Sequence, residues 1–339
     1  MLKARLAYGA ISAKVLALYG KLLSENDWSR LRDCTSPAEV LSVLKALPGW
    51  SGYVSELSAS SDTERLKQTI RSKHHRDYEK LYRFCSLSDK RLLSLLLIGE
   101  EYNYILAALR CLYSGESVRL PAETTDFMRA HSSVDVKALE EATGFSAVCA
   151  AAKDSIFFGT LAALSPPGSL GLPDYSKTGV ALERCYYQYV FSEITKKYSG
   201  TGKEELVRLL GTEADLLNIV GILRLLRYFP DSLSKAPELL VPVYGKLKPR
   251  LMQELLLAQS ETEAVERLKQ SAFAAAFEDY RPEELDRLYE RAMGALCRRI
   301  VKMPAPNICV PVAYLTLSEL ECTRLVRIIE ALGYGINPD

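Results

Sequence analysis

The stretch GTGKEE, from Gly200 to Glu205, contains the glycines and the lysine that could hold a phosphate group. A phosphate-binding loop of this type needs a glycine five residues before the Gly-Lys pair, and a serine or threonine after the pair to hold magnesium. Lys197 and Glu204 stand at those two positions. The stretch is therefore interpreted as a solvated turn, and no nucleotide cofactor is expected.

Metal and nucleophile chemistry have equally little support in the sequence. The chain has three histidines, and the metalloprotease pattern H-E-x-x-H is absent. The eight cysteines form no C-x-x-C pair and are interpreted as reduced thiols of a cytosolic protein. The pattern G-x-S-x-G fails because GFSAV ends in Val148. The sequence thus predicts no catalytic residues, no metal site and no cofactor.

Length and charge narrow the remaining classes of protein. A chain of 339 residues is long enough for two or three domains. The net charge of +1 gives no general attraction to nucleic acid. The basic stretch Arg65–Arg83 is the one local exception, but Asp77 and Glu79 offset its charge, which favours a solvated helix face. The longest apolar run, Leu92–Gly99, is too short to predict a membrane span.

Three stretches share an apolar face with helical spacing: IGEEYNYILAALRCLY, TEADLLNIVGILRLLRY and SELECTRLVRIIEALGY. In each, apolar residues recur at i, i+3, i+4 and i+7, which predicts one buried face of a helix. An acid precedes each face by four residues: Glu101, Asp215 and Glu321. Because helix N-termini favour negative charge, these acids are expected in the first turn, and Thr212 and Ser318 are expected to cap two of the helices.

A second motif repeats in the same order along the chain. LRDCTSPAEVLSVLK aligns with LEEATGFSAVCAAAK and, more weakly, with LLAQSETEAVERLK. Ser36 and Ser260 each stand three residues before a glutamate, which is the spacing of a capping box. Gly144 occupies the cap position of the middle copy.

Two ordered motifs, each present three times with a period of about 110 residues, favour internal triplication over chance similarity between helices. The period is too long for a solenoid, whose repeats span about 20–50 residues. We therefore predict an all-α fold of three similar helical-bundle lobes, at 1–117, 118–233 and 234–339. The best strand candidate, NICVPVAYLTL, is interrupted by Pro311.

Polar residues of the repeated helices are candidates for protein interfaces or for contacts between helices. Arg110, Arg224 and Arg227 follow or close the apolar faces. Two interpretations are open for these arginines: pairing with acids of a neighbouring helix, or facing a partner protein. The candidate set is completed by Asp215, Asn218 and Glu321.

The order of these stretches resembles the C-type subunit of the V-type (archaeal/bacterial-type) ATP synthases, which is related to the d-type subunit of the eukaryotic vacuolar ATPase. The resemblance begins with YGAISAKVLALYGKLLSENDWSRL and continues through TSPAEVLSVLK and the tyrosine-rich ALERCYYQYVFSEITKKY. It ends with EADLLNIVGILRLLRY and PVAYLTLSELECTRLVRIIEALGYG. The acid-x-x-Asn-Ile pattern at Asp215 and Asn218 resembles part of the central signature of that family.

The resemblance implies three helical lobes around a pseudo-threefold axis that form a funnel, and a place in the rotor. It also implies a non-catalytic protein on the cytoplasmic side of the membrane, peripheral to it. There the protein would join central-stalk subunits of D and F type to the membrane proteolipid (c/K) ring, for ATP-linked proton or sodium transport.

Two alternative functions come from other classes of protein. One is a helical nucleic-acid-binding or scaffold module that uses the stretch Arg65–Arg83; the near-neutral net charge argues against nucleic acid as the partner. The other is an enzyme, which would need a catalytic set that the sequence does not contain.

Overall fold

The structure is a computed structural model that describes residues 2–58, 61–164, 171–243, 245–303 and 307–336. Over these ranges the chain is 74% helical and has no strand. The predicted all-α class is therefore confirmed.

The described ranges contain 18 α-helices and two short 3-10 helices, at Pro230–Lys235 and Pro282–Glu284. The first half of the chain holds α1 (Leu2–Tyr19), α2 (Glu25–Arg32), α3 (Pro37–Ala46), α4 (Ser51–Val54), α5 (Thr63–Phe84), α6 (Leu87–Tyr113), α7 (Asp126–His131), α8 (Val136–Glu140), α9 (Phe145–Ala151) and α10 (Phe158–Leu164). The second half holds α11 (Tyr175–Lys197), α12 (Gly200–Tyr228), α13 (Ala236–Leu239), α14 (Pro249–Leu256), α15 (Glu261–Lys269), α16 (Ala274–Phe277), α17 (Leu285–Val301) and α18 (Cys309–Gly333).

One order of helices recurs along the chain: three short helices, one longer helix, and then the helix that carries the first repeated motif. We call α2–α5 the first group, α8–α11 the second group and α14–α17 the third group. We call α6, α12 and α18 the motif helices. This order supports the triplication, which remains a proposal together with its three-lobe boundaries.

The chain divides into two compact units. Unit 1 combines residues 1–93, 121–130 and 297–339, and unit 2 combines residues 94–120 and 131–296. In unit 1, α18 packs along α5. The apolar face of α18 that holds Leu325 and Ile329 shares a buried core with Trp28, Leu44 and Trp50 from the first group. Thus the beginning and the end of the chain belong to one unit.

Unit 2 contains two large cores, and each is built around a motif helix. Ile105 and Leu109 of α6 share the first core with Leu139, Val148 and Leu161 of the second group. In the second core, the corresponding face of α12 is buried with the third group, through Ile219, Leu223, Leu255, Leu268 and Leu288. The apolar periodicity read from the sequence therefore identifies the buried faces of all three motif helices.

The predicted cap residues of the second motif are confirmed. The reciprocal half of the capping box is not, because Glu39 and Glu263 accept from the N–H groups of Thr35 and Gln259 instead of from the caps. Ser36 caps α3 and accepts a hydrogen bond from the backbone N–H of Glu39, with Pro37 at the first helical position. Ser260 caps α15 in the same way, and Gly144 is the cap residue of α9. Side-chain caps of this kind stabilise a helix by about 1 kcal/mol, because they satisfy a backbone donor that the helix itself leaves open.

Two motif helices end in the same way, at a glycine with positive φ. Gly115 has φ of 70° and follows α6, and Gly335 has φ of 69° and follows α18. The next backbone N–H then reaches back to a carbonyl in the last turn: Glu116 to Cys111 at 2.9 Å, and Ile336 to Ala331 at 2.8 Å. This is the Schellman arrangement, in which glycine takes the left-handed conformation without a Cβ clash.

Two local predictions about the motif helices are wrong. The acids of the first motif do not lie in the first turn of their helices, because α6, α12 and α18 begin at Leu87, Gly200 and Cys309. Thr212 and Ser318 lie inside helices, and the Thr212 hydroxyl donates to the carbonyl of Arg208 instead of capping. The strand candidate NICVPVAYLTL forms the start of α18, where Pro311 is tolerated because first-turn residues need no intrahelical donor.

Part of α6, Lys90–Tyr113, is long and apolar enough to cross a membrane by length and composition alone. Half of its most apolar window is buried inside the protein, and the core helix of a soluble protein passes the same test. One such helix is weak support for a membrane span.

Candidate functional site

Asp215, in the middle of α12, accepts three backbone hydrogen bonds. The donors are the N–H groups of Gly245 at 2.9 Å, Lys246 at 2.5 Å and Leu247 at 3.0 Å. Burial raises the pKa of Asp215, while these three donors act in the opposite direction. The carboxylate therefore fixes the segment that leads into α14, whose cap residue is Lys248.

Asn218, one turn after Asp215 on the same helix, holds an adjacent piece of chain. Its side-chain amide donates to the Val241 carbonyl at 2.9 Å, and its side-chain oxygen accepts from the Val241 N–H at 2.8 Å. Asn218 is buried, so both of its contacts satisfy groups that would otherwise be costly to remove from water. The asparagine thus binds both backbone polar groups of one residue.

Glu321, in the middle of α18, is buried in unit 1. It accepts from the Leu23 N–H at 2.7 Å and from the indole N–H of Trp50 at 3.1 Å, and Lys73 Nζ lies 3.8 Å away. Burial raises the pKa of Glu321 to about 7, against the effect of Lys73 and the two N–H donors. Like Asp215, this acid binds the segment that leads into a short helix, here α2, whose cap residue is Ser24.

Glu101, on α6, makes the third contact of this kind, although sequence reasoning left it out of the candidate set. It accepts from the backbone N–H of Ser133 at 2.6 Å and from the hydroxyls of Ser132 and Ser133. Asp135, two residues further on, caps α8. The signal available in the sequence was the equivalence of Glu101 with Asp215 and Glu321.

The three arginines have different surroundings. Arg227 binds Glu261 of α15 through two nitrogens, one of them at 2.7 Å, in a half-buried position. Arg224 binds Asp286 of α17 at 2.7 Å, and both of these side chains are exposed. The guanidinium of Arg110 donates to the hydroxyl of Tyr175 at 3.1 Å. The half-buried pair at Arg227 contributes more to stability than the exposed pair at Arg224, because solvent screens exposed charges.

The basic stretch Arg65–Arg83 forms most of α5, and many of its charges bind acids of the same chain. Lys67 pairs with Glu330 of α18 at 3.2 Å and with Glu64 at 2.8 Å. Arg83 pairs with Glu79. This stretch is therefore partly neutralised within unit 1, which weakens the argument for a nucleic-acid partner.

Lys73 and Asp77, within that stretch, form a buried ion pair at 3.0 Å that sequence reasoning missed. Asp77 also accepts from the hydroxyls of Tyr53 and of Tyr314, the latter at 2.8 Å. Burial alone would raise the pKa of Asp77, but Lys73 and the Tyr53 hydroxyl hold it below its ordinary value. Burial alone would lower the pKa of Lys73, but Asp77 and Glu321 hold it above its ordinary value.

A pair of acids lies in unit 2, on neighbouring helices. Glu213 of α12 accepts from the Tyr289 hydroxyl at 3.1 Å. Burial raises the pKa of Glu213 to about 7; the Tyr289 hydrogen bond acts in the opposite direction, and the carboxylate of Glu183 on α11 raises the pKa further. Burial also raises the pKa of Glu183. At neutral pH this pair therefore costs free energy of folding.

We expect Glu213→Gln to raise the free energy of unfolding by about 2 kcal/mol at pH 8. The folded pKa of Glu213 lies above its ordinary value of 4.5. The folded state is therefore favoured by the protonated carboxyl below pH 4.5, and this contribution to stability is lost as the pH rises through about 7. Glutamine keeps an acceptor for Tyr289 without the charge. Urea unfolding should show the gain at pH 8 and almost none at pH 4.5. Glu204→Gln, an exposed change on the same helix, should have little effect at either pH, and an equal gain from both variants would contradict the explanation.

Among the residues that the structure describes, no group of three or more His, Cys, Asp or Glu side chains has the arrangement of a metal site. The stretch GTGKEE forms the first residues of α12 rather than a solvated turn. Lys203 in it donates to the carbonyl of Thr195 at 3.2 Å. The acids and arginines described above join helices and chain segments by charged hydrogen bonds.

A family model described as ATP synthase (C/AC39) subunit matches residues 11–339. The chain belongs to this family. Among curated protein sequences, none matches this chain. Membership makes the chain part of a V/A-type ATP synthase, and the resemblance found in the sequence is thereby confirmed. In this C/AC39 protein, the acid-x-x-Asn pattern at Asp215 and Asn218 binds backbone groups of the chain itself.

Proposed function

We propose that this C/AC39 protein is a non-catalytic part of the rotor, a socket that joins the central stalk to the membrane proteolipid ring. The observation that carries the proposal is the family match over residues 11–339, nearly the whole chain. The contacts at Asp215 and Glu321 support it, because they join separate segments of the chain instead of forming a substrate site.

A rotor joint has a demanding energetic task. Moving one charge through about 100 mV stores about 2.3 kcal/mol, and several ions cross for each ATP in a rotary enzyme. The joint must transmit many kcal/mol without slipping. Small, wet contacts between proteins do not hold against such a load. We therefore expect two separate interfaces, one for stalk subunits of D and F type and one for the ring, each of about 1,500 Å² or more.

The two interfaces differ in the partner that they face. The proposed place is cytoplasmic and peripheral, with the protein bound to the exposed loops of the proteolipid (c/K) ring. Such a contact is made by polar loops and helix ends, so its affinity should fall with rising salt. The stalk interface, which encloses a helical partner, should be more apolar and less sensitive to salt.

Binding to each partner tests this proposal. The purified chain is mixed with D- and F-type stalk subunits, and separately with ring-containing membranes that have been stripped of the native C/AC39 protein. We expect binding in both mixtures, with the membrane-bound fraction falling as the salt concentration rises about tenfold from a low starting value. Binding to the stalk alone, or to neither partner, would contradict the coupling role. Retention on nucleic acid at physiological salt would favour the alternative function.

A further inference from the structure

The repeated apolar face of each motif helix is buried against a group other than the one that precedes it in the chain. The face of α6 lies in the core of the second group, and the face of α12 lies in the core of the third group. The face of α18, the last helix among the described residues, lies in the core of the first group. The last motif helix thus takes the place that a motif helix preceding the first group would occupy.

The three buried acids repeat the same pattern at the level of single hydrogen bonds. Glu101 accepts the N–H of Ser133, and Asp215 accepts the N–H of Leu247; each contact spans 32 positions. Glu321 accepts the N–H of Leu23, 298 positions away.

The donors also occupy equivalent places. Each N–H belongs to the last one or two residues before the cap of a group's first helix: α2, α8 or α14. Such an N–H lies outside any helix and needs an acceptor when it is removed from water. A carboxylate supplies one, and charge-assisted hydrogen bonds are about twice as strong as neutral ones. One acid therefore satisfies the entry segment of a group and fixes the motif helix against it.

We propose that Glu101, Asp215 and Glu321 are three equivalent anchors. Each of the first two ties a motif helix to the following group, and the Glu321 anchor closes the chain by tying its last motif helix to its first group. The first two anchors join segments that about 30 residues of chain already connect. The Glu321 anchor has no such short connection. It is therefore the anchor that joins the most distant segments of the chain, within unit 1.

The Glu321 anchor, which joins segments far apart in the chain, also has additional polar contacts around it. Besides Leu23, it binds the indole of Trp50 and lies near the buried Lys73. Lys73 in turn binds Asp77 of α5. The missing chain connection is thus compensated by a larger network of polar contacts between α18 and the first group.

Hydrogen exchange of the full-length chain tests the anchors. In the unmodified protein, the amides of Leu23, Ser133 and Leu247 should exchange about a hundredfold or more slower than free amides, although they lie outside helices. Rapid exchange at these positions would overturn the proposal without any variant.

Variants of the acids test each anchor separately. Glu101→Gln, Asp215→Asn and Glu321→Gln should each accelerate exchange by about tenfold or more, mainly at the amide that the altered acid binds. Glu319→Gln, an exposed change two residues from Glu321, is the matched control and should not affect Leu23. Acceleration spread evenly over all three amides by any one variant would contradict separate anchors.

A circular permutant tests the closure itself. The two ends are joined by a flexible glycine–serine linker, and the chain is opened between Glu116 and Ser117, in the loop after α6. In this permutant the linker connects the two segments that the Glu321 anchor joins. The chain between Glu101 and Ser133 is cut, so the Glu101 anchor has lost its short connection. We expect Glu321→Gln to accelerate Leu23 exchange less in the permutant than in the natural order, and Glu101→Gln to accelerate Ser133 exchange more. Equal effects in the two chain orders, or a permutant that does not fold, would overturn the closure.

Discussion

Lys73→Met should lower the free energy of unfolding by about 3–5 kcal/mol. Lys73 is buried, and its ammonium group lies 3.0 Å from Asp77 and 3.8 Å from Glu321. Methionine has a similar volume but leaves the two carboxylates without their buried countercharge. Removing one partner of a buried ion pair is strongly destabilising, because the remaining charge keeps its full cost of removal from water. Urea unfolding followed by circular dichroism measures the loss.

Lys80→Met provides the matched control for that experiment. Lys80 also reaches Asp77, at 3.2 Å, but 45% of its side chain is exposed, so water can replace it. We expect this variant to cost less than about 1 kcal/mol. Similar losses for the two variants would mean that burial of the charge is not the cause.

Gly49→Ala should produce a second large loss, of about 3 kcal/mol. A Cβ at Gly49 would lie 2.0 Å from the carbonyl oxygen of Lys21, a backbone atom that no side-chain rotation can move away. The segment Lys21–Leu23 would have to shift, and Leu23 is the residue that Glu321 binds. Overpacking of a well-packed interior typically costs about 1–3 kcal/mol, and a clash with backbone falls at the upper end.

Gly52→Ala separates this clash from the general effect of replacing a glycine. Gly52 lies three residues further on, in α4, and a Cβ there meets nothing within 4 Å. Because alanine favours the helix, we expect a gain of about 0.5–1 kcal/mol. The midpoints of thermal unfolding of the two variants should therefore shift in opposite directions. A neutral Gly49→Ala would show that the close approach to Lys21 is not maintained in solution.

The parts of the fold that depend on local periodicity could be predicted from the sequence. The faces around Ile105, Ile219 and Leu325 repeat at i, i+3, i+4 and i+7, and such a face is buried wherever the helix packs. The caps at Ser36 and Ser260 were predictable for the same reason, since capping involves only residues within one turn.

The starts of the motif helices could not be predicted by the same reasoning. The segment VPVAYLTL at the start of α18 is buried almost all around, so it carries no amphipathic period that distinguishes a helix from a strand. Missing that start placed Glu321 in a first turn, where an acid is explained by the helix dipole. In the middle of a helix the same acid needs another explanation, which is the distant Leu23 N–H.

The candidate site depended on contacts between distant segments, which no spacing in the sequence encodes. Asp215 binds amides about 30 residues away, and Lys73 is buried because α18 packs along α5. A basic stretch that suggested a solvated face thus contains a buried ion pair of unit 1. The repeated motif marked the three acids as equivalent positions. It did not indicate which backbone groups they bind.

We propose that this C/AC39 protein links rotation of the stalk to the ring, and ATP-driven ion transport tests this role most directly. Membrane vesicles that hold the complete ATP synthase are stripped of this protein, then reconstituted with or without the purified chain. Ion uptake and ATP hydrolysis are measured in the same vesicles. We predict that uptake is lost on stripping, while the catalytic part still hydrolyses ATP, and that adding the chain restores uptake. Uptake that persists without the chain, or that does not return although the chain has bound, would contradict the coupling role.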